Sequence, residues 1–235
     1  MIGKRGVQVG IAAMAIAGSS FVAFAGTASA APSQRFVNAQ KKLEQQLANR
    51  VTQLGRLSAD ISSAKLAPPH AVVLSNAVSA ASGNIDALVL KVPNDDTWAA
   101  LRGDQQSMYR ANRVYAVITP QVFQTIEADA IAAQVTTFEA NEATLQSSVN
   151  DLVGQPGYRN ALIHFEAFVK SVNVAASDSS RVDAAVLAQV PADYPGDTSV
   201  FVHANRELLN ADLALAHAAY DETVIGLASG GYTGS

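Results

Sequence analysis

Two of the four histidines are followed, four positions later, by an acidic residue that could help to bind a metal. His203 precedes Glu207 and His217 precedes Asp221 by this interval. On a helix, residues four apart lie on one face, so each pair could offer two ligands to an ion. The two histidines are two heptads apart, roughly 21 Å along a helix, and cannot share one ion. We therefore interpret both pairs as polar residues on a helix surface and predict no metal site.

The remaining chemistry-bearing residues favour no catalytic function. His70 follows two prolines and is expected to be exposed, and His164 lies beside an apolar helix face. The adjacent Asp95 and Asp96 suit a helix start, where negative charge is stabilised by the helix dipole. The sequence contains no cysteine, no Gly-x-Ser-x-Gly elbow and no glycine-rich phosphate loop. We predict no catalytic residue and no cofactor, so an enzyme is the third-ranked interpretation.

The first 30 residues have the pattern of a secretory signal peptide. Lys4 and Arg5 precede an apolar run over residues 7–26, and Ala28-Ser29-Ala30 supplies a small-x-small cleavage site. The pattern predicts cleavage after Ala30, with an uncleaved membrane anchor as the alternative. The product is then secreted or associated with the cell wall.

Composition limits what the exported part can do. Its 205 remaining residues carry 14 basic and 20 acidic side chains, a formal charge of −6, which argues against nucleic-acid binding. The absence of cysteine excludes disulfides and a lipid-carrying cysteine. About 200 residues are enough for one hydrophobic core. We expect no later segment to span a membrane.

Apolar residues recur in alternating steps of three and four along most of the chain, which is the seven-residue pattern of packed helices. The fold class predicted is all-α, an elongated antiparallel, coiled-coil-like bundle of five to six long helices. One domain is expected over residues 31–225, followed by a flexible tail rich in glycine and serine at 226–235. The helices are predicted at Ser33–Ala64, from Pro68 to about Val92, from Trp98, from Pro120 to about Leu152, from Tyr158 as one helix crossing residues 177–180, which is favoured over two helices, and after the loop at 191–197.

The central segment Tyr109–Phe123 combines aromatic, β-branched and basic residues with a helix breaker. Pro120 would clash with the carbonyl of Ala116 in a continuous helix. Thr119 is a suitable N-cap for a new helix that begins at Pro120. We predict a kink or break at Val117–Thr119, and leave open whether one kinked helix or two separate helices result.

The same segment contains a possible interaction surface formed by Tyr109, Arg110, Arg113 and Tyr115. Basic and aromatic side chains on one face could bind a polyanion or a sugar polymer of the cell envelope. The favoured interpretation is that the tyrosines are core residues and that the arginines pair with neighbouring acids.

Charged residues also fall on the predicted apolar seams. Arg50, Glu142 and Glu222 occupy seam positions of three different helices. Because buried charges are usually paired, we hypothesise a structural ion pair between Arg50 and Glu142 or Glu222 that fixes helix register. The alternative is that each side chain reaches the solvent at the edge of its seam.

Short motifs resemble a group of uncharacterised secreted all-helical proteins of actinobacteria. They are Tyr109-Arg110, Arg113-Val114-Tyr115-Ala116-Val117, Thr119-Pro120-Gln121-Val122 and the leading segment Thr52–Leu57. The resemblance implies a helical fold and an extracytoplasmic location, and implies no catalytic residue. We expect a non-catalytic binding or scaffolding protein that acts on an unknown envelope component. The alternative is a carrier that holds a lipid or another apolar ligand within the bundle.

Overall fold

The computed structural model describes residues 33–193 and 199–230. It confirms the all-α class, because every regular element among these residues is helical and the helices pack antiparallel. The α-helices are α1 Gln34–Ser63, α2 Pro68–Lys91, α3 Trp98–Gln106, α4 Thr119–Asp151, α5 Tyr158–Leu187 and α6 Val200–Gly230. The predicted signal peptide at residues 1–30 lies outside the described residues.

Local sequence signals account for several helix starts. The Ser33 hydroxyl accepts a hydrogen bond from the backbone N–H of Phe36 at 3.3 Å and so caps α1. The Thr97 hydroxyl does the same for α3 by accepting from the N–H of Ala100 at 3.2 Å. Prolines occupy the start of α2, where a missing N–H leaves no helical bond unmade.

The C-terminal helices are longer than the sequence signals suggested. Helix α5 passes through residues 177–180 without a break, as the favoured interpretation had it. Helix α6 continues to Gly230, so the prediction that a flexible tail begins at residue 226 was wrong. One glycine weakens a helix interior by only ~1 kcal/mol, which neighbouring residues that pack can offset. Residues 231–235 lie outside the described part of the chain, as does most of the loop predicted at 191–197.

The buried apolar residues form two clusters. The first joins α1 and α2 to α3 and the beginning of α4, and includes the α1 seam residues Leu47, Leu54 and Leu57. The second joins α4, α5 and α6 around Phe168, which is fully buried. Helix α4 contributes to both clusters, so its N-terminal half is covered on more than one side.

This double coverage explains why polar residues are buried along the first turns of α4. Gln121 is 2% exposed, and its amide donates to the carbonyls of Val186 and Gln189, each at 3.1 Å. Val186 lies in the last turn of α5 and Gln189 just beyond it, where helical carbonyls run out of intrahelical donors, and the Val186 carbonyl also accepts from the N–H of Gln189 at 3.1 Å. Gln124 connects α4 to the first turn of α6 by donating to the carbonyl of Phe201 at 2.8 Å.

The Gln121 contacts give a first prediction. Replacing Gln121 by methionine keeps the side-chain volume but removes its hydrogen bonds to the Gln189 carbonyl and to the Val186 carbonyl, which retains the N–H of Gln189 as a second donor. Each hydrogen bond contributes about 0.5–1.5 kcal/mol, so we expect Gln121→Met to lower the free energy of unfolding by about 1–3 kcal/mol. Urea denaturation followed by circular dichroism measures the loss. Gln134→Met on the exposed face of α4 is the control and is expected to be neutral.

The chain breaks earlier than predicted. The interruption between α3 and α4 lies at Asn112–Arg113 and not at Val117–Thr119, and Arg113 adopts a left-handed conformation with φ of 33°. Wide π turns flank it at residues 107–111 and 114–118. Helices 3 and 4 are therefore two separate helices, which answers the question that the sequence left open.

Pro120 is accommodated by the π turn that precedes it. The N–H of Ile118 bonds to the carbonyl of Arg113, five residues back, at 3.4 Å. Such a widened turn makes room for a ring that would collide with an ordinary α-helical carbonyl. Thr119 does not cap the helix as predicted, because its hydroxyl is buried without a hydrogen-bond partner.

One described helix meets the length and composition criteria for a membrane span, contrary to the expectation from sequence. It covers Pro68–Asn94, which is α2 and the 3₁₀ turn that follows, with a mean hydropathy of 1.3. One face of α2 packs in the first apolar cluster through Leu74, Val78 and Ile85. That packing is the behaviour of a bundle helix.

Candidate metal centre

Three helices bring one histidine and two aspartates together at the side of the bundle. His70 Nδ1 lies 3.0 Å from Oδ1 of Asp129 and 3.9 Å from Oδ2 of Asp183. One ligand-capable atom from each residue lies within 4.8 Å of the other two. His70 belongs to α2, Asp129 to α4 and Asp183 to α5, so the cluster connects helices of both apolar clusters.

Backbone geometry holds two of these side chains in place. His70 sits in the first turn of α2, directly after the two prolines. The N–H of Ala67, the residue that precedes the helix, donates to Oδ2 of Asp129 at 2.8 Å. This bond orients the Asp129 carboxylate and leaves its other oxygen directed at His70. In metal sites, a hydrogen bond from an outer-shell donor commonly fixes the orientation of a ligating carboxylate in this way.

Asp183 is the unusual member of the cluster. It is 9% exposed, and its Oδ1 is buried without any hydrogen-bond partner. Burial raises the pKa of this carboxyl from its ordinary value near 3.8 to about 6, with the charge of His70 opposing the rise and that of Asp129 adding to it. A buried carboxylate oxygen without a hydrogen-bond partner destabilises the folded protein, and a cation bound at the cluster would offset that cost.

The cluster lies on the wall of an open groove of about 600 Å³. Small hydroxyl side chains from α4 and α5, Thr136, Ser179 and Ser180, line the same groove. A cation bound by three protein ligands would therefore keep open coordination positions that water can reach. Mixed imidazole and carboxylate ligands suit zinc, manganese and ferrous iron better than calcium or magnesium, which prefer oxygen alone.

A second histidine–aspartate pair offers an internal comparison. His164 Nδ1 lies 2.6 Å from Oδ1 of Asp221, and the His164 ring meets Tyr220 edge to face at 5.9 Å between ring centres. Within the part of the chain that the structure describes, no third histidine or acidic ligand completes this pair. The pair can thus be satisfied by one shared proton, whereas the His70 cluster contains an additional carboxylate.

The predicted interaction surface is partly formed. Tyr109 is 45% exposed and Tyr115 is 48% exposed, so the interpretation of the tyrosines as core residues was wrong. Arg110 is exposed, and Arg113 is half-buried with its Nε donating to the carbonyl of Arg110 at 2.8 Å. The guanidinium of Arg50 lies between the two rings, at 5.1 Å from the centre of Tyr109 and 5.2 Å from that of Tyr115.

The hypothesised ion pair of Arg50 with Glu142 or Glu222 does not form among the described residues. Arg50 belongs to α1 on the first apolar cluster, and its neighbours are the two tyrosine rings and the Gln46 carbonyl, to which Nη1 donates at 2.9 Å. Glu222 instead accepts a hydrogen bond from Asn141 at 3.0 Å. Burial lowers the pKa of Arg50, which the nearby tyrosines partly oppose.

The candidate metal centre was missed from sequence because its residues share no local spacing. His70 was expected to be exposed, but its side chain is 25% exposed and contacts two acids. The sequence contained one weak signal for Asp183. After residues 177–180 the seven-residue apolar pattern of α5 can be continued from either Val182 or Asp183, which places Asp183 near the buried face, and both residues are buried. His203 and His217 are exposed as interpreted, but the interpretation of both pairs as surface residues was wrong for Asp221, which is 6% exposed and bonds to His164.

Comparison with protein-family models, with curated proteins and with solved structures finds no match to this chain. The resemblance to secreted actinobacterial proteins therefore stays a prediction. The function is therefore inferred from the fold and from the geometry of the side chains.

Proposed function

We propose that this chain is a non-catalytic binding protein whose ligand is a divalent transition-metal ion, held by His70, Asp129 and Asp183. The observation that carries the proposal is the buried Oδ1 of Asp183, which has no hydrogen-bond partner beside a histidine and a second carboxylate. The sequence predicted neither a metal nor a cofactor. The cluster of three ligand atoms is the reason to revise the first of these expectations.

The electrostatic situation of the metal-free cluster supports this assignment. Two carboxylates and one imidazole share this site on the groove wall, and a single proton between His70 and Asp129 leaves Asp183 without a positive neighbour within hydrogen-bond distance. A divalent cation would balance the negative charge of both carboxylates and would be coordinated by the imidazole nitrogen at the same time. Sites in which like charges crowd together without an ion are a usual sign of binding chemistry.

The expected ion preference follows from the ligand atoms. Zinc should bind more tightly than manganese, in line with the general order of affinities for sites with nitrogen and oxygen ligands. Magnesium and calcium should bind weakly, because one of the three ligands is an imidazole. The open side of the groove leaves room for water or for an anionic group of a partner to complete the coordination.

We place this activity outside the cytoplasmic membrane. The support is the signal-peptide pattern of residues 1–30. Binding or scaffolding of an unknown cell-envelope component is then the role, with the metal as part of the binding surface. No observation favours the alternative of a lipid carrier. An apolar pocket beneath Pro120 would have supported it, but Pro120 lines neither of the two grooves in the described part of the chain.

Thermal unfolding in the presence of metal ions tests the proposal. At a zinc concentration 100 times the dissociation constant, binding to the folded state should stabilise the protein by about 2.7 kcal/mol and raise its melting temperature by several degrees. His70→Ala should abolish this stabilisation. His164→Ala removes the other paired histidine and should leave the zinc response unchanged, so it is the matched control.

The two variants make the outcome decisive. Loss of the zinc response in both variants would show nonspecific binding to histidines, and persistence in both would place the ion elsewhere. The proposed site is also rejected when metal-stripped protein shows no saturable uptake of zinc or manganese by calorimetry. Cell fractionation tests the location separately, and recovery in the cytoplasm alone would contradict export.

A further inference from the structure

Helix α6 carries a second seven-residue apolar seam on the face that points away from the bundle. Its inner seam, which includes Phe201, Leu208 and Leu215, packs in the second apolar cluster. The outer seam consists of the large apolar residues Val202, Leu209, Leu213, Tyr220 and Leu227. Arg206, Ala216 and Thr223 fill the remaining seam positions, so that steps of four and three alternate throughout.

The outer seam is exposed along its whole length. The exposed fractions are 51% for Val202, 62% for Leu209, 53% for Leu213, 62% for Tyr220 and 72% for Leu227. Isolated exposed apolar residues are ordinary, but five on one straight line over 26 positions are not. An apolar seam that repeats for more than three heptads is the pattern of a helix that packs against another helix.

The order of residues in the outer seam is self-complementary when two copies run antiparallel. Positions equally distant from the midpoint between Ala214 and Leu215 then face each other. Arg206 faces Thr223 of the second copy, which matches the two polar members of the seam with one another. At the centre Leu213 faces Ala216, a large residue against a small one, and the remaining layers pair Leu209 with Tyr220 and Val202 with Leu227.

A parallel arrangement lacks this complementarity. It would place Arg206 directly against Arg206 of the second copy, with two like charges in an apolar seam. Shifting the antiparallel register by one heptad would set Arg206 against Ala216 and leave its charge without a polar neighbour. The single arginine therefore selects both orientation and register, as polar seam residues do in coiled coils.

We infer that the protein forms a two-fold symmetric homodimer in which the outer seams of two α6 helices pack antiparallel. The contact is self-complementary, because the same surface is used on both copies. The seam is roughly 38 Å long at ~1.5 Å per residue, enough for more than three heptads of interdigitating side chains. This interface is independent of the metal centre on α2, α4 and α5.

The surface beside the seam can accept the second copy. A groove of about 580 Å³ lies between α5 and α6, and Leu213 and Tyr220 of the outer seam form part of its wall. Val174 and Ala167 of α5 contribute apolar surface on the opposite side. Side chains of the second copy can enter this groove, so the dimer would bury area on α5 as well as on α6.

Measuring the mass of the purified protein by analytical ultracentrifugation tests the dimer. The protein should sediment at twice the mass of one chain, and Leu213→Lys, which brings two lysines together near the two-fold axis, should weaken association at least 100-fold. Leu90→Lys on α2 changes a leucine that is 76% exposed outside the seam and should leave the mass unchanged. A monomeric parent protein at high micromolar concentration, or a Leu213→Lys variant that remains dimeric, overturns the proposal.

The absence of native cysteine allows a direct test of orientation. In the antiparallel dimer Val202 lies next to Leu227 of the second copy and roughly 38 Å from Val202 of that copy. A disulfide needs Cα atoms within about 7 Å. A mixture of Val202→Cys and Leu227→Cys should form a cross-linked dimer under mild oxidation, whereas Val202→Cys alone should not. Cross-linking of Val202→Cys to itself would indicate parallel packing and refute the inference, as would a bound acyl chain that keeps the protein monomeric.

Discussion

Asp183→Asn is expected to stabilise the metal-free protein and to remove its response to zinc. The carboxylate of Asp183 is buried beside Asp129, with one oxygen that has no hydrogen-bond partner. An asparagine of nearly the same shape carries no charge, so the penalty for burying a charge disappears. Because the variant also lacks a metal ligand, the zinc affinity should fall by about 100-fold or more, since the loss of an outer-shell partner alone costs about 10–100-fold.

The stabilisation should depend on pH in a defined direction. The pKa of Asp183 is raised in the folded state to about 6, above the value near 3.8 that the unfolded chain retains. The wild-type carboxyl therefore costs nothing below pH 3.8, and the cost develops as the pH rises through 6. We expect Asp183→Asn to be about 1–3 kcal/mol more stable than wild type above pH 7 and nearly equal to it at pH 4.

Denaturant unfolding at both pH values, in chelator and in excess zinc, measures the two effects together. Above pH 7 the variant should be the more stable protein in chelator and the wild type should overtake it in excess zinc, whereas at pH 4 in chelator the two should be nearly equal. Asp221→Asn is the control, because Asp221 is similarly buried and bonded to a histidine but has no third ligand. Equal zinc responses of wild type and Asp183→Asn would exclude Asp183 as a ligand.

Stabilisation by removal of a ligand would itself be informative. A residue that is kept only for structure should destabilise the fold when its partners are left unsatisfied. Replacing a residue that is kept for binding should instead stabilise the ligand-free protein, because many functional sites reduce the stability of the fold. The sign of the change at Asp183 therefore separates a structural histidine–aspartate pair from a binding site.

The sequence predicted the helices well because their signals are local. Helices α1 and α3 begin where predicted, with Ser33 and Thr97 as caps, and the seam residues of α1 are buried in steps of three and four. The break near the centre was misplaced because Pro120 is an obvious breaker, whereas the left-handed Arg113 has no sequence signature. A positive φ at a non-glycine residue is held by its surroundings and cannot be inferred from residue type.

The functional residues were harder to predict, because tertiary packing assembles them. The three candidate ligands are separated by more than 50 positions along the chain and lie on three helices. Arg50 was correctly recognised as a charged seam residue, but its partners were expected to be acids. The structure gives it two aromatic rings instead, and seam position alone contains no information on that choice.

Arg50→Ala is expected to lower the free energy of unfolding by about 3 kcal/mol. Arg50 is 7% exposed, and its guanidinium lies between the rings of Tyr109 and Tyr115. A desolvated cation over an aromatic ring contributes up to about 2 kcal/mol, and the aliphatic stem adds apolar contacts that alanine cannot make. The loss should concentrate in the segment around Arg113, because both rings belong to it.

Arg50→Lys and Arg50→Met separate charge from shape at this position. Lysine keeps the charge, but its compact ammonium cannot stack between two rings as a planar guanidinium does, so we expect a loss of about 1–2 kcal/mol. In the wild-type protein, burial of the charged guanidinium is unfavourable and lowers the pKa of Arg50. Methionine keeps much of the aliphatic stem and removes this buried charge. It should therefore destabilise no more than lysine.

Hydrogen exchange locates the effect of these Arg50 variants. Amides of residues 107–118 should exchange faster in Arg50→Ala than in the parent, while amides of α5 should keep their protection. Uniformly faster exchange would contradict a local role for Arg50. If Arg50→Met instead matched the parent in stability, the two ring contacts would contribute nothing beyond packing. The half-exposed tyrosines would then be an independent surface that does not need the arginine to hold its shape.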